Sequence, residues 1–184
     1  MEIFMRDKYA RMAGVWLCVF LILLAVVSRL LPHPPNFTPL AAVGLFSGAY
    51  LGVRKFWLIP VAALFVSDMV IGFYTPVVMV FVYGAFILCA CIGRAFLYER
   101  HSMLRLGGAT LSGAVVFFVL SNLGDWLSGL NYPLTLSGLR DCYVMAIPFF
   151  RNTLLGDLFY VACLFGIYEM CSRKLSNLRT VHST

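Results

Sequence analysis

Eight ionisable side chains stand apart from the basic clusters of this chain: Arg29, His33, Asp68, Asp125, Arg140, Asp141, Arg151 and Asp157. Asn36, Phe37, Tyr74, Asn122, Trp126, Asn131, Tyr132, Tyr143 and Asn152 lie among them. His33 beside Asp68 or Asp125 would make an acid–base pair, and Cys142 is a conceivable nucleophile. No H-E-x-x-H or G-x-S-x-G spacing accompanies them, and His33 sits in a proline-rich segment where a structural role is the commoner one. An enzyme using His33 or Cys142 is therefore the lesser expectation. No metal is expected either. Cys89 and Cys91 cannot share a helix face at a spacing of two, and His33, Cys142 and the aspartates follow no ligand spacing. With no P-loop, the residues imply no cofactor.

Binding is the chemistry that remains. The stretch Ser121–Asp157 holds a surplus of polar and aromatic groups in a chain that elsewhere has little room for them. Aromatic walls with a few placed polar groups suit a small organic ligand. The expected substrate-binding set is His33, Asn36, Phe37, Asp68, Tyr74, Asn122, Asp125, Trp126, Tyr132, Arg151, Asn152 and Asp157. Taken one by one, each aromatic fits an interfacial belt better, and only together with the charges do they favour a pocket; the bland alternative for the stretch is an ordinary exposed loop. Asp157 follows Arg151 by six residues, so a helix would not stack the two directly.

The elements that must position these groups are membrane helices. Of 184 residues, 61% are hydrophobic and 12% charged, against about a quarter charged in soluble domains. Apolar runs of about 20 residues read as bilayer-spanning segments. The expectation is an all-α, single-domain bundle of six transmembrane helices, at 12–31, 39–53, 56–72, 77–97, 106–123 and 147–171. Met12–Leu31 follows a short basic lead, but no small-x-small cleavage site ends it, so it reads as an uncleaved span. Eleven of the 14 Lys and Arg residues fall between spans on one side: Arg6, Lys8, Arg11, Arg54, Lys55, Arg94, Arg100, Arg105, Arg173, Lys174 and Arg179. That bias places both termini in the cytoplasm of a cell whose inner membrane the chain crosses. The net charge of +6 thus follows the bilayer and implies no nucleic-acid partner.

Three connections, 32–38, 72–76 and 124–146, then face outward together. Thr38 and Pro39 have the form of an N-cap and first helical residue. The span beginning there is short and carries Gly44, Gly48 and Gly52 at four-residue intervals, a face on which helices approach closely in a membrane. The tail Ser172–Thr184 reads as polar and loose. Cys142, in the long outer connection, has no evident disulfide partner.

This layout resembles the substrate-binding S components of energy-coupling-factor vitamin transporters. The resemblance implies six helices, cytoplasmic termini and outer connections that cap a vitamin-like small molecule. It also implies a coupling membrane subunit with ATPases as a further partner. The blocks RLLPHPPNFTPLAAVGLFSGAY, SDMVIGFY and NYPLTLSGLRDCYVMAIPFFRNTLLGDLFY more closely resemble an uncharacterised bacterial family of small membrane proteins. The competing expectation is a structural or assembly subunit whose outer loops bind another protein.

Overall fold

The computed structural model describes residues 2–51, 54–99 and 102–181, with side chains described for 12–51, 54–99 and 102–172. Among the described residues it contains six helices and no strand: α1 (Glu2–Leu30), α2 (Leu40–Tyr50), α3 (Leu58–Ile71), α4 (Pro76–Leu97), α5 (Met103–Ser128) and α6 (Leu136–Val181). Successive helices run in opposite directions. The connections 31–39, 72–75 and 129–135 therefore face one end of the bundle, the loop end, with 31–39 reaching in to meet α6 at Gly156 and Tyr160, about twenty residues past the start of that helix; α1 begins and α6 finishes towards the other, the termini end.

Four helical stretches are long and apolar enough to cross a membrane: Met12–Leu30, Pro76–Leu97, Met103–Ser128 and Leu136–Ser172. The apolar helices α2 and α3 are shorter, at 11 and 14 residues. At 1.5 Å per residue they reach about 16 and 21 Å, less than the roughly 30 Å hydrocarbon layer.

Helix α2 occupies the centre, and ten consecutive residues from Leu40 to Ala49 are buried. A helix that is apolar all round belongs inside a bundle. Its glycines explain how it fits. A Cβ on Gly48 would lie 2.1 Å from the Ala90 carbonyl oxygen, and one on Gly93 would lie 2.2 Å from that of Leu45. The α2 and α4 backbones touch at this crossing, and only hydrogen can occupy the space between them. Gly44 continues the face against Phe86, Cys89 and Ala90; Gly52 lies outside the described residues. Phe46 and Tyr50 then pack against Phe165 and Tyr168 of α6.

Several expected boundaries change. Helix α1 begins at Glu2 and α6 continues to Val181, so the chain's lead and most of its tail are helical. The second span ends at Tyr50, and the expected end at Val53 lies outside the described residues. Pro39, with no side-chain cap, stands at the cap position expected for Thr38. The largest correction concerns 124–146. Helix α5 continues to Ser128 and α6 begins at Leu136, so the expected long loop is a short corner between two helices. Gly129 stops α5 in the left-handed conformation, at φ 66°, where a side chain would be strained. Thr135 starts α6, its Oγ1 accepting the Gly138 N–H at 3.1 Å, the bond an N-cap makes. Gly138 lets the two ends meet, since a Cβ there would lie 2.1 Å from the Pro133 carbonyl oxygen. Pro148 lies inside α6 and removes the backbone donor that Val144 would otherwise receive.

Candidate functional site

The polar residues of the loop end form three groups. The first joins α1, α3 and α4. Arg29 Nη1 donates to Asp68 Oδ1 at 2.8 Å, and it also donates to Ser67 Oγ. The Tyr83 hydroxyl donates to Asp68 Oδ2 at 2.7 Å. Both carboxylate oxygens are thus engaged, and Asp68 is fully buried. A buried charge is tolerable when it is paired and hydrogen-bonded in this way. Ser67 also donates to the carbonyls of Ala63 and Leu64. Tyr74 hangs over the group from the 72–75 turn. Burial first, and then the nearby Asp68 carboxylate, push its hydroxyl up to about 12, with Arg29 pulling the other way.

The second group lies where connection 31–39 meets α6. Phe37 packs on Phe159 and Tyr160, at centroid distances of 5.9 and 5.7 Å. Gly156 permits this seat, since a Cβ there would come within 3.1 Å of the Phe37 Cα. Asn36 takes a left-handed φ of 64°, a conformation that asparagine tolerates better than most side chains. Asn36 and Thr38 flank the seated phenylalanine, and with Thr153 and Asp157 they line a cavity of about 10 Å³ walled by Phe86 and Phe117. Asp157 is 2% exposed, and its buried Oδ2 has no hydrogen-bond partner among the described residues.

The third group holds the α5–α6 corner. Asn131 Nδ2 donates to Asp125 Oδ1 at 2.8 Å, and Trp126 Nε1 donates to the Pro133 carbonyl at 3.0 Å. Cys142 is buried on α6, with Sγ 3.4 Å from the Asn122 carbonyl and 3.9 Å from Asp125 Oδ2. The Tyr143 hydroxyl reaches back to the Val119 carbonyl at 2.8 Å.

The expected site residues are thus distributed. Asp68 and Tyr74 belong to the first group, Asn36, Phe37 and Asp157 to the second, and Asp125 and Trp126 to the third, with half-buried Tyr132 in the corner loop. Asn122 donates its amide N–H to Phe118 on its own helix. Arg151 is exposed on α6 while Asp157 is buried, so the two point away from each other. Asn152 is half-buried beside Arg151. His33 is exposed, and its Nδ1 lies 2.7 Å from the Leu31 carbonyl. The carboxylates considered as its acid–base partners are engaged elsewhere, Asp68 by Arg29 and Tyr83 and Asp125 by Asn131. Cys142 leaves the outer loop it was expected in and becomes a packed helix residue. All six cysteines are free. No group of three or more His, Cys, Asp or Glu side chains suited to a metal occurs among the described residues.

Sequence reasoning missed the pairing of Arg29, and the parts that Ser67, Tyr83, Thr38, Thr153 and Gly156 play. The signal for the first was a cation and an anion at the same ends of parallel helices. For the last two it was the run Thr153-Leu-Leu-Gly-Asp157, which puts a hydroxyl one turn before the buried carboxyl. A further cleft, of about 580 Å³, opens between α5 and α6 towards the termini end, lined by Leu97, Met103, Leu106, Val161 and Phe165, with Tyr50 and Glu169 at 3.0 Å from each other.

Helices of this length and apolarity, with an ion pair and polar groups enclosed between them, define a membrane protein. The chain belongs to a family of unknown function (DUF6580), whose family model matches residues 10–178. No curated protein and no solved structure matches it.

Proposed function

We propose that this is a membrane-embedded binding protein for the uptake of a vitamin-like small molecule, captured at the loop end. All six helices sit within the membrane in this reading, with both termini in the cytoplasm of the inner membrane, and the short α2 and α3 reach its outer side through their connections. One observation carries the reading. Arg29 is part-buried at the loop end and donates only through Nη1 among the described residues, while a guanidinium has five N–H donors. The remaining donors, beside Tyr74 and Tyr83, suit a carboxylate or carbonyl on an aromatic-sized solute. The loop-end cavity is water-sized, so capture requires connection 31–39 or the 72–75 turn to lift. Delivery inward would fall to a coupling membrane subunit with ATPases, as in the S components, because this chain offers no nucleotide site.

Native mass spectrometry of the protein purified in mild detergent, alone and with a panel of vitamins, tests this. A bound molecule that is lost in Arg29→Lys, with folding intact, supports the proposal. An unchanged apo mass across the panel removes it.

A second reading, an assembly subunit for another membrane protein, draws on the α5–α6 cleft and on Met103, which lines it and is 85% exposed. It predicts a stoichiometric protein partner in mild detergent and no small ligand.

A further inference from the structure

We infer that Asp157, Thr153, Thr38 and Asn36 form a binding site for a single small monovalent cation, with Na⁺ the ion that fits. The site does not depend on a solute being bound or transported. Its first support is the carboxylate. Asp157 is buried on α6 with Oδ2 unpartnered, and no ion pair offsets its charge among the described residues. Burial of an ionised carboxyl without a counter-charge is costly, and elsewhere in this protein that cost is met: Asp68 has Arg29 and Tyr83.

The second support is the cavity that the Asp157 side chain helps to line. At about 10 Å³ it matches roughly one water-sized sphere, which excludes an organic cation. Its polar lining is all oxygen-bearing: a carboxylate, the amide of Asn36 and the hydroxyls of Thr38 and Thr153. Thr153 gives its proton to the Phe149 carbonyl at 3.0 Å, so its oxygen can offer the cavity lone pairs only. One negative charge among neutral oxygens suits a hard monovalent ion. Divalent ions of this class usually draw on several carboxylates. Ala41, Phe86 and Phe117 complete the walls.

The fold assembles the site from distant parts. Thr153 and Asp157 are successive turns of α6, while Asn36 and Thr38 arrive on connection 31–39 only because Phe37 seats on Gly156. Occupancy would therefore fasten that connection to α6.

The test is thermal unfolding of the full chain in detergent, with NaCl titrated against choline chloride at constant ionic strength. At a tenfold excess over Kd, Tm should have risen by about 3–6 °C and should go on climbing with the logarithm of Na⁺ concentration, with KCl weaker. Asp157→Asn should abolish the rise and Thr153→Val should reduce it. Equal Tm in Na⁺ and choline, or an undiminished rise in Asp157→Asn, would overturn the assignment in favour of a water or a proton in the cavity. Should Asp157→Asn fail to fold, radioactive Na⁺ retained by the unmodified protein and displaced by unlabelled Na⁺ decides the matter. Retention of a single ion per chain supports the site, and no displaceable counts refute it.

Discussion

Arg29 and Asp68 are 39 residues apart in the chain and 2.8 Å apart in the structure. The pair ties α1 to α3, and Tyr83 extends the tie to α4. Removing one partner of a buried pair costs about 3–5 kcal/mol, because the other charge is left uncompensated. Arg29→Leu and Asp68→Leu should each lower the unfolding midpoint in detergent, and the double replacement should recover part of the loss. Strict additivity in that cycle would show that the two side chains do not interact.

The crossing of α2 and α4 gives a graded expectation. Gly48→Ala and Gly93→Ala place a methyl at 2.1 and 2.2 Å from backbone oxygens, where no side chain can move aside. Overpacking of this kind costs at least about 1–3 kcal/mol. Gly44→Ala meets its nearest atom at 3.3 Å and Gly84→Ala meets nothing within 4 Å. Yield and Tm should therefore fall steeply for Gly48 and Gly93, slightly for Gly44, and not at all for Gly84.

The α5–α6 corner should be sensitive at glycines and forgiving at its polar surface. Gly138→Ala forces a methyl against the Pro133 carbonyl, and Gly129→Ala strains a left-handed residue, the latter at about 1 kcal/mol. Limited proteolysis should cut both variants at 129–135 faster than the parent. Asn131→Ala, which removes one exposed hydrogen bond to Asp125, should leave the cutting rate nearly unchanged.

Tyr74 makes the loop end sensitive to alkali. Its hydroxyl is raised from 10.0 to about 12, chiefly by burial and then by Asp68. A raised value means the folded state holds the proton more tightly than the unfolded chain. The resulting stability is complete below pH 10 and is lost as pH climbs towards 12. Tyr74→Phe should flatten the fall in Tm across that window. An identical fall in the variant would assign the effect to other groups.

The membrane character and the glycine face of α2 were legible because composition and four-residue spacing are local properties. Gly93, the reciprocal half of the crossing, was not, since which helix faces α2 is not a local property. The stretch Ser121–Asp157 was misjudged for a physical reason. Polar residues in an apolar chain suggest a loop, yet Asn122, Asp125, Trp126 and Cys142 are helical and find partners across a tight corner: Asp125 in Asn131, Trp126 in the Pro133 carbonyl, and Cys142 in the Asn122 carbonyl. The stop at Gly129 and the start at Thr135 were visible signals of that corner. The separation of Arg151 from Asp157 was also foreseeable from their spacing, whereas the partnership of Asp68 with Arg29 required knowing that α1 and α3 are neighbours.

The enclosure of α2 bears on how the protein is made. Eleven residues cannot cross a bilayer unaided, and their end groups would be stranded in hydrocarbon. The residues that enclose them, in α4 and α6, are synthesised later than α2 itself. The nascent chain must therefore hold this segment at the membrane boundary or in the insertion machinery until Gly93 and Phe165 have emerged. Maturation is then a late swallowing step, in which the central helix is the last to reach its place.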